Sequence, residues 1–563
     1  MDYDLAIRGG TLVDGTGRPG VRGDLGIRDG RIVAVGDAPG AAATCLEASG
    51  RIVAPGFIDL HTHYDAQALW DRMLSISPWH GVTTVVIGNC GFGVAPTRPE
   101  HRGLVLRTLE KVEGMSLEAL EAGLGTEWPF ESFPEYLDAL ERRGSAIHVA
   151  TLIGHTPLRL YVMGEEATER AATPEEIARM RAIVAGALRA GAIGFATSKA
   201  PTHVGYGGRP VPSRLADFEE IRAIVGALGD AGAGVFQATL GGGLFLDEFE
   251  ILARETGRPI TWTALLAGIF GPNGHRPLLE RAARQQDAGL AIVPQVSCRP
   301  LNFEFQWREP FPFESMAVFA PVSAADLAGK RRLYADPGFR RRFRESTDGA
   351  FGAILSRWWD RTVIAHCPGH PELTERPLSE VARERGVDPL DAALDLGLAS
   401  DLVARFRLPI MNRDEGEVAE LLRDPHTVLG LSDAGAHASQ LCDACFSTHL
   451  LGHWVREKGT LAWEQAVRML TSRPAELLGF ADRGRLSPGL VADVVVFDPT
   501  SVGAGPLRRV HDLPAGADRL VSDALGIDAV VVAGTILRRA GRDVLDPRGP
   551  LPGRLLRHGC APD

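Results

Sequence analysis

The sequence predicts an α/β fold: a (β/α)8 TIM barrel carrying a small β-sandwich built from both chain ends and an inserted lid subdomain. Three observations lead there. Eight short apolar runs recur through the middle of the chain, at 56–60, 82–88, 147–154, 192–197, 233–239, 259–266, 290–296 and 426–432, most of them separated by helical patterns. Both ends have a different texture, with β-branched runs broken by glycine turns. The gap between the seventh and eighth runs is too long for one connection.

In chain order, DLAIRGGTLV, GDLGIRDGRIVAVG and RIVAPG read as strands punctuated by Gly-Gly, Asp-Gly and Pro-Gly. The texture returns in GRLSPGLVADVVVFDP and GIDAVVVAGTILRRAG. Residues 1–55 and 483–563 are therefore expected to form one β-sandwich domain, with the barrel over 56–482. Between them, PEEIARMRAIVAGALRAG (174–191) and FEEIRAIVGALGDAG (218–232) place apolar residues three and four apart, the helical period. Residues 298–360 hold an aromatic segment, NFEFQWREPFPFE, and a basic helix, GKRRLYADPGFRRRFRES. They are expected to form the subdomain over the barrel mouth.

Composition limits the function. The 563 residues are 45% hydrophobic and 23% charged, average for a globular chain with a sizeable core. A net charge of −11 gives no overall attraction to nucleic acid or anionic membranes. Seven cysteines over this length do not resemble a disulfide framework and point to a reducing, cytoplasmic setting. No stretch approaches the roughly 20 apolar residues of a membrane span, and the N-terminus lacks signal-peptide features. A small-molecule substrate is the expected partner, and a homo-oligomer stays open.

The chemistry concentrates at the ends of the apolar runs. In PGFIDLHTH (55–63), strand alternation turns His61 and His63 the same way, and two imidazoles so placed can chelate one divalent metal. The second run ends in GNCGFG with Cys90, the third in Gly154-His155, the fourth in Thr197-Ser-Lys199 with His203 beyond, and the eighth in SDAGAH with Asp433. Strands one and eight are neighbours in a closed barrel, so Asp433 could share a metal with the histidines or take a proton from its water. Its bland alternative is a helix N-cap. Cys90 could equally be a small buried residue, and His155 and His203 hydrogen-bonding residues.

The β-rich ends, PGFIDLHTH, GNCGFG, LSDAGAH and TSRPAELLGFADRGRLSPGLVADVVVFD together resemble the amidohydrolase superfamily, and within it the D-aminoacylase branch, the N-acyl-D-amino-acid deacylases. The resemblance spans nearly the whole chain. It implies a metal-dependent hydrolase of carbon–nitrogen bonds other than peptide bonds, with Cys90 as a zinc ligand beside His61 and His63, and Asp433 as catalytic acid/base. The family's histidines ending strands five and six are missing: those strands end in FQAT (236–239) and TWT (261–263), and no histidine lies between His203 and His275. Two arrangements follow: one zinc on His61, His63 and Asp433 with Cys90 near or bound, or two zinc ions bridged by a carboxylated Lys199. The single ion is favoured.

For the substrate, Lys199 and His203, with Arg209 beyond, form a local cationic cluster suited to a carboxylate. Lys199 could instead be an ordinary loop cation, and His155 is a further substrate-binding candidate. The aromatic run Phe303, Phe305, Trp307, Phe311 and Phe313 is expected to be either the insert's own core or an apolar lid. Cys442 and Cys445 have redox-motif spacing but read as structural, as does His366. Two other functions stay open: hydrolysis of a cyclic amide, lactone, carbamate or urea, and a catalytically reduced barrel that only binds.

Overall fold

A computed structural model describes residues 1–314, 316–347 and 355–557. Residues 348–354 of the expected insert and 558–563 of the expected β domain lie outside the described residues. Eight parallel strands, Phe57–Asp59, Val82–Ile87, His148–Gly154, Gly194–Ser198, Val235–Thr239, Ile260–Thr263, Ile292–Val296 and Val428–Leu429, line up in that order in one sheet. Each overlaps one of the eight apolar runs. The first and last strands meet at their exits: Thr62 bridges Ala434 in parallel, the His63 N–H donates to the Ala434 carbonyl at 2.7 Å, and Ser432 Oγ donates to Asp59 Oδ2 at 2.5 Å.

Strand alternation sorts the side chains. Ile58, Val86, Ala150, Leu152, Ala196, Val235, Val293 and Val428 form a buried cluster inside the barrel. Phe195, Phe236, Ile260, Trp262 and Ile292 belong to the larger core shared with the helices. Gln237 pairs in register with Ala196 on one side and Thr261 on the other, so all three face inward. The two expected helices form as Pro174–Ala190 and Phe218–Ala231. Thr173 and Glu176 make a capping box before the first, Asp217 caps the second, and Gly191 and Gly232 end them.

Strands from both chain ends share one nine-stranded sheet: Tyr3–Leu12, Val21–Arg28, Arg31–Gly36, Ala42–Glu47 and Ile52–Pro55 join Val494–Phe497, Ile527–Val532, Thr535–Arg539 and Arg542–Asp543. The seam is the antiparallel pairing of Ile52–Pro55 with Val494–Phe497. Asp29 and Gly30 both have positive φ, 51° and 73°, the two-residue turn that matches the twist of a hairpin. Val494 and Val496 enter this sheet's own core. Val495 and Phe497, on the other face, join the barrel's core, where Phe497 lies 5.7 Å from Trp463. Ala42–Glu47 and a separate hairpin, Gly503–Val510 with Arg519–Leu525, were not legible as strands.

The insert is longer than 298–360. Leu301–Gln306 pairs antiparallel with Arg405–Met411, which also pairs with Val363–His366. A single buried core runs from Phe305 to Leu408. Four strands share that sheet, so the chain leaves the insert only after Met411. Residue 360 lies between Leu301–Gln306 and Val363–His366, within the span of this sheet.

Phe497→Ala should remove a side chain that joins two cores. We expect a loss of about 3–5 kcal/mol, read as a lower thermal unfolding midpoint. An unchanged midpoint would show that this face of the sheet does not support the barrel.

Candidate metal centre

Three strands, the first, second and eighth, bring His61, His63, Cys90 and Asp433 to the C-terminal end of the barrel. His61 Nδ1 lies 2.7 Å from Gln295 Oε1. An amide oxygen can only accept, so Nδ1 carries the proton and Nε2 keeps its lone pair. That Nε2 lies 3.4 Å from Cys90 Sγ and 3.3 Å from Asp433 Oδ1. His63 Nε2 is 3.8 Å from the same carboxylate oxygen, and its Nδ1 lies 3.1 Å from Glu113 Oε1. The two imidazoles stand edge to face with centroids 5.3 Å apart. Among the described residues, His61, His63 and Cys90 are the one group of three His, Cys, Asp or Glu side chains whose ligand atoms all lie within 4.8 Å of one another.

The loops are shaped for this approach. Cys90 itself sits at φ 55°, between Gly88 and Gly91 at 85° and 71°. A Cβ on Gly88 would stand 2.1 Å from the Leu152 carbonyl oxygen, and one on Gly91 2.8 Å from that of Ala196. Glycine thus lets the Cys90 turn lie directly on strands three and four. Asp433 is also left-handed, at φ 46°, and the next helix begins only at Phe446. The N-cap alternative for Asp433 therefore does not hold. Gly435 presses its backbone onto the exit of strand one, where a Cβ would meet the His63 carbonyl oxygen at 2.6 Å.

Burial and neighbouring charge set the electrostatics. Burial, reinforced by His63, holds His61 well below the ordinary imidazole value. Burial alone would lower His63 too, but the Glu113 carboxylate and Cys90 override it and raise this imidazole well above its usual value. Desolvation lifts the Asp433 carboxyl to about 6 and the buried Asp59 and Asp65 carboxyls to about 7. Two neutral-capable imidazoles, a thiol and a carboxylate are the mixed N, S and O donors that suit a borderline divalent ion such as zinc. His61, His63 and Cys90 lie close enough together to fit one such ion, and Asp433 approaches the two imidazoles.

The other candidates fall elsewhere. His155 spends both ring nitrogens, on Thr197 Oγ1 at 2.8 Å and Glu220 Oε1 at 2.9 Å, and Glu220 also pairs with buried Arg159. It is a structural residue. Lys199 donates its ammonium to the Arg214 and Ala216 carbonyls, both at 2.5 Å, and ties down its own loop. This placement matches neither a carboxylate anchor nor a metal bridge. Arg209 is exposed and paired with Glu169. His203 does stay near the centre: Ser198 Oγ lies 2.6 Å from its Nδ1, Phe92 packs edge-on at 5.0 Å, and its ring lies close enough to depress His61.

The ends of strands five and six carry a hydroxyl pair, with Thr263 Oγ1 donating to Thr239 Oγ1 at 3.1 Å. The aromatic run divides between its two expected roles. Phe305, Trp307 and Phe313 pack in the insert's core, whereas Phe303 and Phe311 lie 5.7 Å and 5.9 Å from the ring of His437. Cys442 and Cys445 are buried, with Cys445 Sγ donating to the Cys442 carbonyl at 3.1 Å and Asp443 paired to Arg299. His366 is exposed at the end of an insert strand.

Sequence reasoning missed Glu113, Gln237, Gln295 and Asp59. Glu113 had a faint signal, a carboxylate at the C-terminal end of helix Arg102–Glu113, where the helix dipole disfavours it. The two glutamines had the inward period of their strands but no motif.

Gly88→Ala should disturb the Cys90 turn, costing about 1–2 kcal/mol from the left-handed backbone alone with the Leu152 clash added. We expect a lower unfolding midpoint and reduced metal content by elemental analysis. Wild-type values for both would contradict the close packing described for this loop.

The chain matches the amidohydrolase family over residues 45–538. It is 33% identical to a D-aminoacylase of Alcaligenes xylosoxydans xylosoxydans over 507 residues, 89% of each chain. Among solved structures it resembles an N-acyl-D-glutamate deacylase from Bordetella bronchiseptica complexed with zinc and a phosphonate inhibitor, with TM-score 0.66, 27% identity and coverage of 99% of this chain and 100% of that one. A D-aminoacylase with a binuclear metal centre, described by one-metal activation and second-metal attenuation, superposes with TM-score 0.68 at 28% identity, over 99% of this chain and 100% of that one. With a family match over most of its length and a relative above 30% identity, the chain belongs to the amidohydrolase family.

Proposed function

We propose that the protein is a zinc-dependent hydrolase that removes the acyl group from N-acyl-D-amino acids. The observation that carries this reading is the convergence of His61, His63, Cys90 and Asp433 at one barrel end. The names of the similar proteins, a D-aminoacylase and an N-acyl-D-glutamate deacylase, support the substrate class. His61, His63 and Cys90, with Asp433 beside them, would hold a zinc ion, which would supply Lewis acidity and lower the pKa of a water at the site. Asp433 takes the water's proton and hands it to the departing nitrogen, which must be protonated to leave. Gln295 fixes the His61 imidazole from behind by its hydrogen bond, and the Glu113 carboxylate stands 3.1 Å behind His63 at Nδ1. One ion is the favoured stoichiometry, because Thr239 and Thr263 bond to each other and offer no imidazole.

The substrate carboxylate is assigned to Arg214, with Lys199 left to its structural role. Arg214 Nη1 reaches the His203 carbonyl at 3.1 Å, and among the described residues its guanidinium makes no ion pair with a carboxylate. Phe303 and Phe311, over His437, cover the apolar side. The six described cysteines are free, which fits the cytoplasm. No described helix is long and apolar enough to cross a membrane. A homo-oligomer is compatible with this reading.

A panel of N-acyl-D- and N-acyl-L-amino acids with cyclic amides tests the reading directly. Asp433→Asn should abolish turnover with the fold retained, and His61→Ala should lower metal content. Full activity after exhaustive chelation would exclude the mechanism. Arg214→Met should weaken kcat/KM for carboxylate substrates about 10- to 100-fold, the loss of one charged hydrogen bond. The matching carboxamides should be little affected. Equal effects on both would remove Arg214 from this role.

A further inference from the structure

We infer that Gln237 is a positioning residue for Cys90, holding the thiol in the ligand geometry from inside the barrel. The inference rests on the metal-centre reading above. Cys90 is a non-glycine residue at φ 55°, a conformation that persists only where surrounding structure determines it. Its side chain must leave that turn toward His61 Nε2, 3.4 Å away. The glycines on either side give the turn close packing, but they do not fix the peptide's rotation. One side-chain contact does: the Cys90 N–H donates to Gln237 Oε1 at 2.7 Å.

Gln237 can serve this purpose because it is itself immobile. It is 1% exposed and projects inward from the middle of strand five, locked in register between strands four and six. Its amide orientation is forced, since only the oxygen can face a donating N–H. The other end, Nε2, is buried without an acceptor, so nothing else in the described structure explains the amide's placement. Gln295 stands in the equivalent relation to His61 from strand seven. Two of the three mutually close ligands are thus buttressed by inward glutamines, one through its ring and one through its backbone.

Apo protein titrated with cobalt(II) tests this without any substrate. Coordination by Cys90 gives a thiolate-to-cobalt charge-transfer band, and the titration gives the affinity. In Gln237→Leu, which fills the space but accepts no hydrogen bond, the band should weaken and affinity fall about 10- to 100-fold. Gln237→Met, longer and more flexible, should behave the same and stands in if the leucine variant fails to fold by circular dichroism. Gln237→Glu keeps an acceptor for the Cys90 N–H and should retain the band. A folded leucine or methionine variant with the wild-type band and affinity would overturn the inference, as would a glutamate variant as impaired as the leucine one. A wild-type protein that binds cobalt with no thiolate band would remove Cys90 from the centre, and one that binds none would overturn the metal reading itself.

Discussion

Closure of the barrel is the constraint on which the site depends. His61 and His63 lie more than 360 residues from Asp433 in the chain, and they meet because the curl of the sheet brings the exits of its first and eighth strands together, where Thr62 bridges Ala434. Among the described residues the two strands share no ladder, and the eighth, Val428–Leu429, pairs only with the seventh. Contacts at their exits join them instead, through Asp59 to Ser432 and through Ala434 to both Thr62 and His63. The aspartate that approaches the two imidazoles is thus one residue from the serine that seals the seam.

The loop after Asp433 is also where the rest of the molecule converges. The Glu304 N–H of the insert donates to the Gln440 carbonyl, and the Leu520 N–H of the C-terminal hairpin donates to that of Ala438, both at 2.6 Å. Arg509 spans these two contacts, bonding Glu304 Oε2 at 2.8 Å and the Ser439 carbonyl at 3.0 Å. Burial strengthens such charge-assisted bonds and raises the cost of leaving one partner alone. The loop on the acidic side of the centre is therefore held by the insert and the C-terminal hairpin as well as by the barrel.

Much of this was readable from the residues. The eight barrel strands carried their own signal, because parallel strands covered on both faces are continuous apolar runs. HxH, the GNCGFG turn and SDAGAH marked the strand ends correctly, since glycine must appear where backbone packs on backbone. Interactions between distant positions were not readable. Lys199 looked like a free cation, and only the fold shows the 214 and 216 carbonyls around its ammonium. His155 could not announce Glu220, nor Gln237 the Cys90 N–H, because neither pair is local in sequence.

The seam between the two chain ends bears on the order in which the protein can be made. Ile52–Pro55 directly precedes the first barrel strand, yet its antiparallel partner, Val494–Phe497, follows more than four hundred residues later. At about 5–20 residues per second, a ribosome needs roughly 20–90 s to cover that distance. Throughout that interval one edge of Ile52–Pro55 has no strand beside it, and neither Val53 nor Ala54, both fully buried in the finished sheet, has its cover. An exposed apolar edge of this kind is a template for pairing with another chain. The nascent polypeptide thus carries an open strand edge near its beginning until residues 494–497 are made to cover it.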